Sequence, residues 1–454
     1  MKILDFLNTR IFGTCLGPLL LFSGFCFWIR LRAFCFAHPR RALDLIKKES
    51  GDRGSSFRAL SVALAGTLGA GNIAGVAVAL VSGGPGAIFW MWVGALAAMM
   101  LKYAEITLTI DARRGESNGA VDYIRPSLGR PAGFVFSLLC FVCSLFMGSL
   151  MQGNVIAEAL EGTFSISRPL TGLILLTLTL LLFIGGRRFL EGAAGFLIPV
   201  LTAVYVLLSL FFIFVNITLL PSVISRILHE AFSLRSAGGG IAGTVAARAV
   251  RAGISKGLFS NEAGAGTAPM AHGGAATQIP ARQGLFGILE VFIDTIVVCS
   301  MTAFVILLAF REIPPDIAGT DLVAAAFSTL YGRAAGAIVA LSIAAFAYAT
   351  VACWSYYGRI AVRALTDNYL ARLFFPFLFS FLLYLGACLP SAWAWGMTDA
   401  VLAAMTLLNV FALLRERRRV LSLTEEAGLL PPANTGRKKK NAAPDEKRKA
   451  PGPA

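Results

Sequence analysis

In GILEVFIDTIVVC (287–299) two carboxylates, Glu290 and Asp294, stand one helical turn apart in otherwise apolar surroundings. An ionisable side chain inside hydrocarbon is costly, so it marks ion or substrate handling. Asp294 is read as a cation ligand, a proton acceptor or the partner of a buried cation, with Glu290 on the same helix face as a second carboxylate. Asn72 lies in GTLGAGNIAG (66–75). Its amide can accept a hydrogen bond from an ammonium group and ligate sodium through oxygen. The plainer alternative is a bond tying this stretch to a neighbouring helix. Lys102 and Glu105 are spaced i,i+3 and are expected to pair with each other. The three histidines, His38, His229 and His272, are widely spaced and form no HExxH, and no serine or cysteine has a base nearby in sequence. Cys140 and Cys143 are neighbours on one apolar helix face, which suits packing. A carrier therefore fits better than an intramembrane enzyme. A channel shares the polar breaks, and saturable, concentrative uptake separates the two.

Of the 454 residues, 57% are hydrophobic and 14% charged, with a mean hydropathy of +0.73. A soluble fold of this size could not hide so much apolar surface, whereas lipid covers it. The expected class is an all-α polytopic membrane protein. Eleven stretches have the ~20 largely apolar residues that a span requires: 11–36, 57–82, 86–111, 131–160, 168–186, 190–217, 238–257, 283–310, 333–361, 371–389 and 392–414. The first lacks a small-residue cleavage site and is read as a retained helix (1–36). The net charge of +15 does not point to nucleic acid, because the basic residues are spread between apolar segments. The basic segment 37–56, with an amphipathic stretch at 40–48, is expected on the cytoplasmic side. Alternation then places the N-terminus outside, and 187–188, 256–282 and a disordered basic tail (415–454) inside.

Two spans are unlike the rest. The stretch 57–82 carries GTLGAGNIAG, and 238–257 reads GGGIAGTVAARAVRAGISKG. They stand five helices apart. Glycine in a helix interior costs about 1 kcal/mol against alanine. Matching interrupted helices at that spacing mark the midplane binding site of inverted-repeat transporters. Unwound backbone survives there by lining a cavity or facing protein. Its N–H groups can hold a carboxylate and its C=O groups a cation. Gly69, Gly71, Gly240 and Gly243 are accordingly expected to let substrate touch main chain. Gly75 and Gly94 suit helix packing instead.

The stretches GAGNIAGVAVALVSGGPGAIFWMWVGALAAMMLKYAE and KGLFSNEAGAGTAPMAHGGAATQIPARQGLFGILEVFIDTIVVCSMTA resemble the signatures of the alanine or glycine:cation symporter family, within the amino acid–polyamine–organocation superfamily. MQGNVIA (151–157) and WSYYGR (354–359) resemble two further blocks, so the likeness covers roughly residues 10–415. The resemblance implies uptake of alanine or glycine coupled to Na+, in some members to H+. It implies a five-plus-five inverted repeat of the leucine-transporter type behind one extra N-terminal helix, with repeats at 57–217 and 218–414. It assigns Gln152 and Asn154 to substrate and makes Trp354 a bulky pocket wall. Asn261, Glu262, Gly264 and Gly266 are expected near the cytoplasmic end of helix seven, in a structural or gating role.

Several positions depart from the family pattern. GTGN is GAGN here, with Ala70 for threonine, and the Ser-Thr pair before the Trp block reads Ala349-Thr350. The block's final Glu is Arg359, and Met-x-x-Pro-Asn in the last helix carries Leu408 before Asn409. Thr350 by the resemblance, and Asn72 and Asp294 by their own chemistry, are the expected cation ligands. Each lost hydroxyl should weaken a sodium site unless water replaces it. The expected partners are a small amino acid and membrane lipid, with no nucleic acid and no obligate protein. The expected location is the plasma membrane, the inner one in a Gram-negative cell.

Overall fold

A computed structural model describes residues 13–47, 54–69, 71–233, 245–314, 317 and 319–431. Among these residues the chain is all helical. The elements are α1 (Gly13–Arg30), α2 (Pro39–Lys47), α3 (Ser55–Thr67), α4 (Gly71–Gly83), α5 (Gly86–Ala112), α6 (Val121–Leu128), α7 (Arg130–Phe164) and α8 (Arg168–Val215). Then follow α9 (Leu220–Ala231), α10 (Val245–Asn261), α11 (Ala268–His272), α12 (Pro280–Ala309), α13 (Gly319–Tyr331), α14 (Arg333–Leu365), α15 (Tyr369–Cys388), α16 (Ser391–Arg415) and α17 (Arg417–Glu426). Among the described residues seven helices are long and apolar enough to cross a membrane, or nine if each bent pair counts as one span. The sequence reading has eleven. The difference lies at α1, with its shorter apolar stretch Leu16–Arg30, and at α10, whose upstream residues lie outside the described ones.

Helix α5 is the axis of the bundle. It packs on α1, α10 and α12, and its inner half from Ala97 to Ile110 is buried throughout. Small residues permit this. Gly24 sits on the Ala97 carbonyl and Gly253 on the Ala87 carbonyl, leaving no room for a Cβ. Such close backbone approach is how helices associate where lipid removes the hydrophobic drive between them.

Backbone from Arg168 to Val215 is helical, where the sequence reading has a turn at 187–188. Its contacts run to two helices. Gly172 lies on Tyr384 and Ala387, and Phe183 packs on Phe375 and Phe379, so the first half is antiparallel to α15. Arg359 donates to the Phe183 carbonyl, and Tyr205 packs on Phe346 of the same helix, α14.

The amphipathic segment forms α2. Arg282 donates to the Leu45 and Ile46 carbonyls in its last turn and to Ser56 Oγ, favourable placement for a cation at a helix C-terminus. The region after 415 begins with α17 instead of disorder. Val420 and Leu423 are buried, Tyr103 and Thr424 bond through their hydroxyls, and Arg419 grips Asp111 with two nitrogens at 2.6 and 2.8 Å. Residues 432–454 lie outside the described ones.

Candidate functional site

The first interruption falls where glycine crowds the sequence. Helix α3 stops at Thr67, and α4 restarts at Gly71 with a wide π turn, Gly71–Gly75, bent 55° from α3. Asn72 Oδ1 accepts from the Gly69 N–H at 3.1 Å, so the amide caps the broken end. Asn72 Nδ2 donates to Asp294 Oδ1 at 2.7 Å and to the Asp294 carbonyl at 3.1 Å. Thr350 Oγ1 lies directly over Gly69, where a Cβ would collide with it, and donates to the Ala65 carbonyl at 3.3 Å. The tie to α12 and the hydroxyl of α14 therefore both meet this break. Ala70 lies outside the described residues.

The second interruption among the described residues follows α10. Gly240 and Gly243 lie outside the described residues. Helix α10 runs without a break from Val245 to Asn261, and the gap comes before α11, in Glu262–Thr267. Glu262, Gly264 and Gly266 hold φ of +53°, +85° and +77°. Helix thus continues past 256, where the sequence reading starts a loop, and Ser260–Ala271 is buried. The signal for this gap was present in SNEAGAG, whose glycine spacing suits left-handed backbone. Glu262 takes the left-handed conformation at about 1–2 kcal/mol for a residue with a Cβ.

Freed backbone in this second gap is met by side chains. Glu105 Oε1 accepts from the Gly266 N–H at 3.0 Å, and Asn409 Nδ2 donates to the Gly264 carbonyl at 2.8 Å and to Glu105 Oε1 at 2.6 Å. Asn261 Oδ1 accepts from the Ala263 N–H at 3.1 Å. Lys102 Nζ donates to the Asn261 carbonyl at 2.6 Å, a cation on the C-terminal end of α10. Buried backbone polar groups demand such partners.

Lys102 does not pair with Glu105. It pairs with Glu290 Oε1 at 2.6 Å, both side chains fully buried. Glu105 points instead at the second gap, because its N–H and amide donors lie there. Glu290 Oε2 meets His272 Nε2 at 3.2 Å, and His272 Nδ1 meets Gln283 Nε2 at 2.7 Å. The glutamine amide can only donate through that nitrogen, which leaves His272 Nε2–H to donate to Glu290. Asp294 does not share ligands with Glu290. It accepts from Asn72, from Ser260 Oγ at 2.8 Å and from Thr295 Oγ1 at 2.8 Å. Asn72 follows the first gap and Ser260 precedes the second, so Asp294 spans both.

Four carboxylates, Glu105, Glu262, Glu290 and Asp294, are buried around these gaps, with Lys102 as the lysine among them. They differ in supply. Asp294 and Glu290 have partners on both oxygens, whereas among the described residues Glu105 Oε2 and Glu262 Oε1 have no hydrogen-bond donor. Buried charge on this scale needs compensating cations or protons.

The remaining expected residues separate. Trp354 is fully buried, with Gly148 against its ring and Tyr357 edge-on at 5.4 Å; its Nε1 donates to no protein atom. Gln152 Nε2 donates to the Met147 carbonyl at 3.1 Å while its Oε1 is unpartnered, beside the π turn Phe146–Leu150. Asn154 goes elsewhere. Its Nδ2 ties the end of α15, at the Gly386 carbonyl (3.2 Å) and the Leu389 carbonyl (2.7 Å), because two positions along a helix turn it to another face. Sequence reasoning missed Ser260 and the bonding role of Asn409. Serine is too common to signal itself, and Asn409 was marked only by motif position. A cavity of about 700 Å³ opens between the loop after α5, the end of α11 with the loop that follows it, α14 and α15, and Arg113, Arg359, Arg363 and Arg372 line it.

A family model described as the sodium:alanine symporter family matches residues 1–426. The chain is 36% identical over 436 residues to an uncharacterized transporter of Haemophilus influenzae, covering 94% of this chain and 95% of the relative. It is 34% identical over 443 residues to the sodium/alanine symporter AgcS of Methanococcus maripaludis, with 94% and 96% covered. Among solved structures, it is similar to a manganese transporter of Eremococcus coleocola, with a TM-score of 0.51, 16% identity, and 80% and 78% covered; that likeness shows the fold alone.

Proposed function

Because the chain belongs to the sodium:alanine symporter family, and is therefore a membrane transporter and no enzyme, we propose that it imports a small neutral amino acid, alanine or glycine, together with sodium. The observation that carries this reading is Asp294. Its carboxylate is held at once by Asn72 beside the first gap and Ser260 beside the second. A movement that separates the two gapped helices must break or exchange those bonds, so the ion-sensitive group sits where alternating access would act. The freed N–H groups near Gly69 and Gly71 would receive the substrate carboxylate, with Asn72 and Gln152 beside it. Trp354 would limit the side chain to about one methyl group. Supporting the cation side are the surplus of buried carboxylates and the Thr350 hydroxyl against Gly69. The same reading takes the chain as two inverted five-helix repeats of the leucine-transporter type after α1, with the N-terminus outside and the C-terminus inside.

A second reading, drive by protons, is favoured by one specific observation. Ala349, beside Thr350, offers no side-chain oxygen, so the pair supplies one hydroxyl oxygen instead of two. A sodium site here leans on main-chain oxygen, while carboxylates in excess of local cations can carry protons. Counterflow of labelled alanine in proteoliposomes, under a sodium gradient and under a proton gradient alone, tests both. Saturable sodium-stimulated exchange supports the first reading. Exchange that follows pH and ignores sodium supports the second, and no exchange of alanine or glycine at all removes both.

A further inference from the structure

The cavity of about 700 Å³ between the loop after α5, α11, α14 and α15 is lined by none of the residues proposed for substrate or ion. Arginines reach it from three elements: Arg113 from the loop after α5, Arg359 and Arg363 from α14, and Arg372 from α15. Arg363 and Arg372 are exposed, and Arg113 and Arg359 are half-buried. Arg359 and Arg363 stand one turn apart on one helix face, where like charges repel.

Two of these charges have carboxylate partners. Arg363 pairs with Glu116 at 3.0 Å and Arg372 with Asp367 at 2.7 Å. Both acids stand in solvent, where an ion pair holds weakly and exchanges readily. The other two arginines form no ion pair among the described residues. Arg113 donates to the Gly273, Ala275 and Thr277 carbonyls. Asp122 acts on Arg113 from nearby, but its oxygens accept from Ser117 and Asn118. Arg359 donates to the Phe183 carbonyl at 3.0 Å and stacks over the Phe183 ring, 4.6 Å from its centre. Carbonyl and ring fix the direction of a guanidinium without cancelling its charge.

Guanidinium groups hold oxyanions through paired N–H donors. Donors converging from three elements suit a tetrahedral anion, whose oxygens point several ways, better than a carboxylate, whose two oxygens lie in one plane. We propose that this cavity binds a phosphate group, carried either by free phosphate or by the headgroup of an anionic lipid. Arg113 and Arg359 supply fixed positive charge, and Arg363 and Arg372 turn from Glu116 and Asp367 to close on the anion.

The test is calorimetric titration of inorganic phosphate into the full-length protein in phosphate-free maltoside detergent, with acetate as the comparison. Expected is saturable binding at one site, at least tenfold tighter for phosphate than for acetate. Arg359→Met keeps apolar packing on Phe183 and removes the charge, and should weaken phosphate at least tenfold. Glu116→Gln releases Arg363 and should tighten phosphate at least twofold, a gain that damage to the fold cannot imitate. Absence of saturable phosphate binding, equal affinity for acetate, unchanged binding to Arg359→Met or no tightening in Glu116→Gln each overturns the proposal. Full displacement of phosphate by alanine also overturns it, since the cavity would then belong to the transport path. Phosphatidylglycerol added to the micelles identifies the source: competition with phosphate assigns a lipid headgroup, and lack of competition assigns free phosphate. Both results support the site. Alanine counterflow on the same protein reports the transport reading separately.

Discussion

The two interrupted helices are held open by different means. At the first gap, among the described residues, one amide, Asn72, bridges the break and reaches across to Asp294, and one hydroxyl, Thr350, covers Gly69. At the second, Glu105, Asn409, Asn261 and Lys102 each take a freed backbone group, and three residues hold left-handed φ. A gap whose backbone is already bonded by side chains has few main-chain groups to offer a ligand. A gap lined by glycine and one amide has more. The difference suggests a division of labour, in which the first gap meets the substrate and the second is a fixed frame that presents Ser260 to Asp294.

That division can be broken by mutation. The largest effect is expected at the bridge between the gaps. Asp294→Ala should lower alanine uptake more than 100-fold with protein still in the membrane, because all of its bonds to Asn72, Ser260 and Thr295 are lost; residual uptake above a tenth of the parent would show that the two gaps do not need the carboxylate. Next comes the frame. Removing one partner of a buried ion pair costs about 3–5 kcal/mol, so Lys102→Met should lower the thermal midpoint strongly. Lys102→Met with Glu290→Leu should recover part of the loss, and a double variant no more stable than the single would argue against this pairing.

Two smaller effects sharpen the contrast. Glu262→Gly should raise stability by about 1 kcal/mol, since glycine adopts the left-handed conformation without strain and the unpartnered carboxylate is removed. Gly264→Ala, at φ +85° and against Leu20, should lower it by at least about 1 kcal/mol. Equal and small effects of both on the denaturation midpoint would mean that the second gap is not a rigid frame. The smallest change is expected at the first gap. Ala349→Ser with Ala70→Thr adds two side-chain oxygens and should lower the sodium needed for half-maximal uptake a few-fold. An unchanged sodium requirement would place the ion away from this break.

Much of this was legible from residues alone. Composition and the ~20-residue apolar runs determined the class, because hydrocarbon accepts little else. Asn72, Asp294 and the first gap were readable for the same reason, since amide, carboxylate and glycine are each expensive inside a membrane helix and so stand out. The long, specific stretches around LFSNEAG carried the family. Sequence distance was the limit elsewhere. Lys102 finds Glu290 188 positions away instead of Glu105 three away, because α5 and α12 lie side by side and the neighbouring position faces the second gap. Asn154 is polar in the same way as Gln152, and only packing against α15 separates their partners. The place of the second gap was likewise decided in three dimensions. Glycine permits a break wherever it occurs, but backbone stays open at Glu262–Thr267 because Glu105 of α5 and Asn409 of α16 are there to bond it.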